Sequence, residues 1–339
     1  MKRILTLIAA AVVAVACGNA HKGSQPAESS QVQDPGAPVV YFTKEITPES
    51  LVAIYEALGR EATGRVAVKI STGEAGGHNY LKPELIGSLV KKVNGTIVEC
   101  NTAYGGARNT VEDHMKVAED HGFTKIAKVD IMDADGEFNI PVQDTKYLKY
   151  DIVGTHLKNY DFMINLAHFK GHAMGGFGGV LKNQSIGVAS RNGKAYIHTA
   201  GKTSNPDIAW GPQYLAAGPT QDSFLESMAA AAQGVHEYFK GGKNILYINV
   251  MNNMSVDCDC DSHPADPKVA DMGIVASLDP VACDQACLDM VFGHKNDVPG
   301  DDAKPLQQRI NRQHGTYITE YAEKIGLGSK QYRLVSLDK

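Results

Sequence analysis

One pattern recurs along this chain and restricts its fold: a short apolar run, then a glycine-rich or polar loop, then a helical stretch. Residues 65–70 run into Ser71-Thr72-Gly73-Glu74-Ala75-Gly76-Gly77-His78, and a helical pattern follows over 81–93 with Pro83 in its first turn. Residues 96–100 lead into a polar loop at 101–108 and a helix to about 120, capped by Asn109 or Thr110. Residues 161–167 lead into a glycine loop at 168–179 and a short helix over 180–186. Strands joined by helical crossovers run parallel, so the chain reads as an α/β protein with a mostly parallel, Rossmann-like sheet and helices on both faces, with room for two lobes. Further strands are expected at 126–132, 244–250 and 273–276. A helix over 223–240 is capped by Asp222 or Ser223 and stopped by Gly241-Gly242, and another over 281–292 enters through Pro280 with Asp279 as its cap. Loops after parallel strands gather at the carboxyl edge of the sheet, which brings His78, Glu99, Arg108, His168 and His172 toward a single cleft.

The first residues set the expected compartment. Lys2 and Arg3 precede an apolar segment over 4–16, shorter than the roughly 20 residues that span a bilayer. It closes with Ala14-Val15-Ala16-Cys17 and resembles the lipobox of bacterial lipoproteins, in which the cysteine is lipidated. The resemblance implies residues 1–17 as a signal peptide, Cys17 as a lipid anchor, and a place in the bacterial cell envelope on the periplasmic side, with the membrane as a partner. Residues 18–38 carry almost nothing that packs and are expected to be a flexible tether, leaving 39–339 as the folded domain. A hydrophobic content of 43% supports a sizeable core there. With a net charge of −5, one Trp and no lysine-arginine cluster, the chain lacks the electrostatic footprint of a nucleic-acid binder. Setting Cys17 aside leaves an odd number of cysteines, so they do not form a complete disulfide framework.

Two stretches carry the chemistry. In the first, His168 and His172 are four apart, but Gly171 and Gly175-Gly176 weaken any helix that would present them to zinc. They can converge through a turn, or one can act as acid or base; equally, one can be satisfied inside the sheet edge and the other solvated. Gly175-Gly176-Phe177-Gly178-Gly179 ahead of a helix offers backbone N–H groups to an anion, with Lys170 and Lys182 adding charge, or else makes a tight turn where helix meets sheet. Leu181 stands where a phosphate loop requires glycine.

The second stretch is Asp257-Cys258-Asp259-Cys260-Asp261-Ser262-His263. Read as extended backbone, it turns Cys258 and Cys260 to one face and the three aspartates to the other. Two thiols with His263 nearby suit zinc, iron or an iron–sulfur centre; redox thiols and a solvated acidic turn remain alternatives. A calcium loop does not fit, with Ser262 at the sharp-turn position and Lys268 at the closing one. Cys283 and Cys287 read as core residues of the helix after Pro280.

These residues resemble, in order, the bacterial and archaeal family known as domain of unknown function 362. The match runs through Lys69 with Thr72-Gly73-Glu74, the 101–108 loop, His168–His172 through Gly178-Gly179-Val180-Leu181-Lys182-Asn183, Gly193-Lys194 with His198, the Asp257–Cys260 loop, and Ala276 to Ala282. The resemblance implies an α/β fold. Many members carry a ferredoxin-like insertion shortly after the position of His198 and are described as iron–sulfur proteins. This chain has no cysteine between Cys100 and Cys258, so a ferredoxin-type cluster is not expected.

The expectation for function is an envelope lipoprotein holding a metal, zinc or iron, or a metal-containing cofactor through Cys258, Cys260 and His263. His168, His172 and Lys170 are expected to act in catalysis. Gly175, Gly176, Gly178, Gly179, Lys182, Asn183 and Arg108 are expected to hold an anionic small molecule or cofactor. The competing expectation is a lipoprotein that captures an anionic solute without chemistry.

Overall fold

The computed structural model describes residues 30–211, 218–296 and 298–338. Its strands are β1 (Val39–Thr43), β2 (Val66–Lys69), β3 (Thr96–Glu99), β4 (Val129–Ile131), β5 (Glu137–Ile140) and β6 (Asp151–Gly154), followed by β7 (Phe162–His168), β8 (Lys170–His172), β9 (Gly176–Gly178), β10 (Ile245–Met251), β11 (Gly273–Ser277) and β12 (Arg333–Ser336). Eight of them form one sheet in the order β12-β1-β11-β10-β7-β2-β3-β4, in which only β11 runs against its neighbours. The described residues gather around this single sheet, with β5–β6 and β8–β9 as small ribbons beside it.

Alternating side chains feed the two faces. In β7, Met163 and Ala167 enter one apolar core while Phe162, Ile164 and Leu166 enter the other. Helices Gln221–Tyr238, Pro280–Gly293 and Tyr317–Lys324 cover the first face; helices Pro48–Ala57, Pro83–Lys92 and Val111–Asp120 cover the second. Each buried Val, Leu, Ile or Phe contributes about 1.5–3 kcal/mol relative to exposure, so these two layers carry the fold.

The chain steps outward from β2 through β3 to β4, then crosses back to β7 on the other side of β2 and continues to β10. Strand order reverses between β2 and β7, and ligands of such sheets bind in the crevice that opens at the carboxyl ends there.

Several expectations are corrected. Residues 168–179 do not form an open loop: β8 and β9 pair as an antiparallel ribbon. Gly171 explains how the ribbon is seated, because a Cβ there would lie 2.2 Å from the Val256 carbonyl, and its own N–H donates to Ser255 O at 2.8 Å. Residues 257–261 are not extended either; Asp261 N donates to Cys258 O at 2.9 Å and closes a turn. Helix Gln221–Tyr238 is capped one turn earlier than expected, by Thr220, whose side chain accepts from Ser223 N. Asp279 does cap Pro280–Gly293, accepting from Val281 N and Ala282 N at 2.9 Å. The stretch expected to be tether is docked from residue 30, with Val32 N and Ser30 O bonded to Tyr332 at 2.8 and 2.9 Å. Cys17 and its lipobox lie outside the described residues. No helix among the described residues is long and apolar enough to cross a membrane.

Candidate functional site

At the switch point, β2 and β3 end in opposite charges on neighbouring strands. Lys69 Nζ lies 3.0 Å from Glu99 Oε2 and 3.1 Å from Asn183 Oδ1, and both charged side chains are buried. Arg108, from the loop after β3, reaches Glu99 Oε1 and Glu74 Oε2 at 3.3 Å each. Thr72 N adds a bond to Glu99 Oε1 at 2.8 Å. Burial alone would raise the Glu99 carboxyl, but Lys69 and Arg108 outweigh it and hold the group at about 2. Each charge here has a partner of opposite sign, so Arg108 is committed to the scaffold rather than left for a ligand.

The next wall comes from the β8–β9 ribbon and the cysteine loop. His168, the last residue of β7, has both ring nitrogens engaged: Nδ1 with Asp259 Oδ1 at 2.8 Å and Nε2 with Asn252 O at 2.6 Å. Lys170 Nζ lies 2.7 Å from Asp259 Oδ2. Burial opposes the Asp259 charge, yet His168 and Lys170 hold its carboxyl at about 2. One carboxylate thus ties the strand end to the cysteine loop. Two of the three side chains expected to be catalytic, His168 and Lys170, are bonded to Asp259.

The third, His172, faces the thiols. Its ligating nitrogen and the sulfurs of Cys258 and Cys260 all lie within 4.8 Å of one another, the one such grouping of metal-ligating side chains among the described residues. His263 is not part of it: that residue is exposed and its Nδ1 sits 2.9 Å from Ser262 Oγ. The turn at 258–261 explains the exchange, since it folds both sulfurs inward and carries His263 to the surface.

The two thiols share their protons unequally. Cys258 Sγ accepts from Cys260 N at 3.3 Å and lies 3.9 Å from Lys182 Nζ. The Cys260 thiol beside it, with Lys182 and His172, holds the Cys258 thiol well below its ordinary value despite burial; the Cys260 thiol is pushed well up by the Cys258 sulfur and by burial. His172 Nδ1 accepts from Gly175 N at 2.8 Å and Met174 N at 3.2 Å, so the neutral ring carries its proton on Nε2, the nitrogen left for Cys258.

The glycine segment also builds this arrangement. Gly175 supplies a bond to His172, and Gly176, at φ +80°, packs its backbone on Gly315. The start of helix Val180–Ser185 is filled from within, where Asp284 accepts from Val180 N at 2.8 Å and Leu181 N at 3.0 Å. A Cβ on Gly179 would strike that carboxylate at 2.2 Å. Asn183 spends its amide on Lys69 O and Asn165 Oδ1, at 2.9 and 2.7 Å.

All these walls enclose one cavity of about 370 Å³, lined among others by Gly178, Gly179 and Lys182. Tyr104, Ala173 and the two cysteines also line an outer groove, so the thiols stand where the two spaces meet. Lys194, His198 and Trp210 line the cavity as well, and reading individual loops did not single them out. Their signal was the spacing of Lys194 and His198, four apart on helix Arg191–His198.

A family profile described as Domain of unknown function (DUF362) matches residues 66–289. No curated protein matches the chain. Among solved structures, the lactate racemase apoprotein from Thermoanaerobacterium thermosaccharolyticum is similar at 11% identity and a TM-score of 0.42, over 77% of this chain and 58% of that one. A Thermotoga maritima protein is similar at 14% identity and a TM-score of 0.41, over 73% of this chain and 58% of its own. The chain therefore spans less than two thirds of the length of either protein. The profile reaches from β2 to helix Pro280–Gly293 and takes in each wall of the cavity, and on that match the chain belongs to the domain of unknown function 362 family.

Proposed function

We propose that the protein binds a divalent metal ion through Cys258, Cys260 and His172, and an anionic small molecule in the adjoining cavity. The observation that carries this reading is the convergence of two thiols and one imidazole, within 4.8 Å of one another, on the wall of a cavity that also receives Lys182 and Lys194. Two sulfurs and a nitrogen suit zinc or iron, and three protein donors leave a position for water or substrate. When bound, such an ion supplies a Lewis acid beside the anionic ligand. The residues around it have separable tasks: Asp259 fixes the loop and Lys182 offsets thiolate charge. Binding releases a proton, because the ion replaces the Cys260 thiol proton, while His172 would ligate as a neutral ring through Nε2 with its proton moved to Nδ1.

The test is elemental analysis of protein purified without chelator, joined to thiol alkylation. The expected result is stoichiometric zinc or iron, with Cys258 protected until a chelator is added. Metal-free protein whose Cys258 alkylates at once overturns the metal reading.

A second reading is favoured by the orientation of His172. With Nδ1 accepting backbone N–H bonds, its Nε2–H is set to stabilise a bare Cys258 thiolate, as in metal-free thiol chemistry. Rapid alkylation of Cys258, slowed by His172→Ala, supports that alternative.

From residues 2–17 alone we infer a lipid anchor at Cys17 and an envelope location. Incorporation of labelled palmitate, lost in Cys17→Ser, is the expected result; equal labelling of the two proteins contradicts it.

A further inference from the structure

The cavity holds a second cluster that neither the thiols nor the buried salt bridges use. Lys194 Nζ donates to Ala189 O at 2.6 Å and to Cys100 O at 3.5 Å and has no carboxylate within ion-pair distance among the described residues. One turn later on the same helix face, His198 Nδ1 lies 2.7 Å from Lys194 O. A carbonyl oxygen only accepts, so Nδ1 carries the proton and Nε2 is a bare acceptor. That nitrogen has no hydrogen-bond partner among the described residues, while the ring lines the cavity and is held by Phe224 and Trp210 at centroid distances of 4.8 and 5.1 Å. Burial keeps the ring neutral, down to about 3.

We propose that Lys194 and His198, with Lys182 of the same cavity, form a subsite for a carboxylic acid that carries an uncharged hydrogen-bond donor close to its carboxylate. The assignment rests on the anion-binding reading above and specifies it. Two ammonium groups without carboxylate partners supply the attraction for the acid. A carboxylate suits them better than a phosphate, because the helix N–H groups that would cradle phosphate already bond Asp284. His198 Nε2 accepts, so the ligand must donate. An ammonium donor would meet two lysines of like charge, which leaves a hydroxyl or an amide N–H. The four-residue spacing puts the two anchors on one face of the helix, roughly 6 Å apart at their Cβ atoms, so donor and carboxylate belong on one small molecule.

The test is calorimetric titration of the full chain with two probes that differ only in the hydroxyl, mandelate and phenylacetate. Mandelate is expected to bind at least about tenfold more tightly, the worth of one satisfied hydrogen bond. In His198→Phe, which keeps a ring against Phe224 and Trp210, mandelate falls to the affinity of phenylacetate; in Lys194→Met both probes weaken together. Equal affinity of the two probes for the unmodified protein overturns the subsite while leaving anion binding intact, and this comparison needs no variant to fold. Binding of neither probe to folded protein overturns the anion-binding reading itself, and the subsite with it.

Discussion

The two sides of the cavity treat charge in opposite ways. On the β2–β3 side, Lys69 and Arg108 meet Glu99 and Glu74 at 3.0 to 3.3 Å, and the buried charges cancel. Away from those ion pairs, Lys182 has only the Cys258 sulfur at 3.9 Å, and Lys194, bonded to Cys100 O just past β3, has only carbonyls. Ions of opposite sign buried in contact hold strands together, whereas a cation without a carboxylate partner is held ready for an anion supplied from outside. The first side is scaffold and the second is the working surface, even though both line the same space.

The largest expected effect breaks the scaffold. Glu99→Gln leaves Lys69 and Arg108 buried without their shared countercharge and should cost about 3–5 kcal/mol in urea denaturation. Acid should act on the same groups: Glu99 and Asp259, held at about 2, stabilise the fold fully above the unfolded carboxyl range and lose that contribution as pH falls toward 2. A Glu99→Gln protein as stable as the parent at neutral pH removes the distinction between the two sides.

A smaller effect of opposite sign is expected at Asp151. Its carboxyl is fully buried with no side-chain partner among the described residues, and burial pushes it up to about 7 despite the Ile152 N–H and the charge of Lys194. A folded-state value above the unfolded one is a penalty, absent below pH 4, growing between 4 and 7 and complete above 7. Asp151→Asn should therefore raise stability by about 1–2 kcal/mol at pH 8 and leave it unchanged near pH 3.5, read from urea unfolding at both values. The smallest effect belongs to the working surface. Lys194→Met should cost about 1 kcal/mol, since the Ala189 and Cys100 carbonyls lose a donor but no ion pair is lost, while weakening binding of organic acids.

Much of this frame was legible in the chain. The recurrence of apolar run, polar loop and helix led to a mostly parallel sheet with its loops at the carboxyl edge, because period and turn chemistry are local properties. The pairing of β1 with the antiparallel β11 and the parallel β12 was not legible; it joins residues hundreds of positions apart, and nothing local marks it. In the site, Cys258 and Cys260 stood out by residue type. Their third partner did not, because the choice between His263 and His172 depends on a turn at 258–261 and on how closely the β8–β9 ribbon approaches through Gly171. The glycines misled for a related reason: the helix they precede does bind an anion at its start, but that anion is Asp284 of the chain itself.

Titration of chelator-stripped protein with cobalt(II), followed in the near ultraviolet, decides whether His172, Cys258 and Cys260 form a metal centre. Saturable one-to-one binding is expected, with a sulfur-to-metal absorption band that is weakened in Cys258→Ser, Cys260→Ser and His172→Ala and lost when both cysteines are replaced. Cobalt binding without that band, or a band that survives loss of both cysteines, would contradict it.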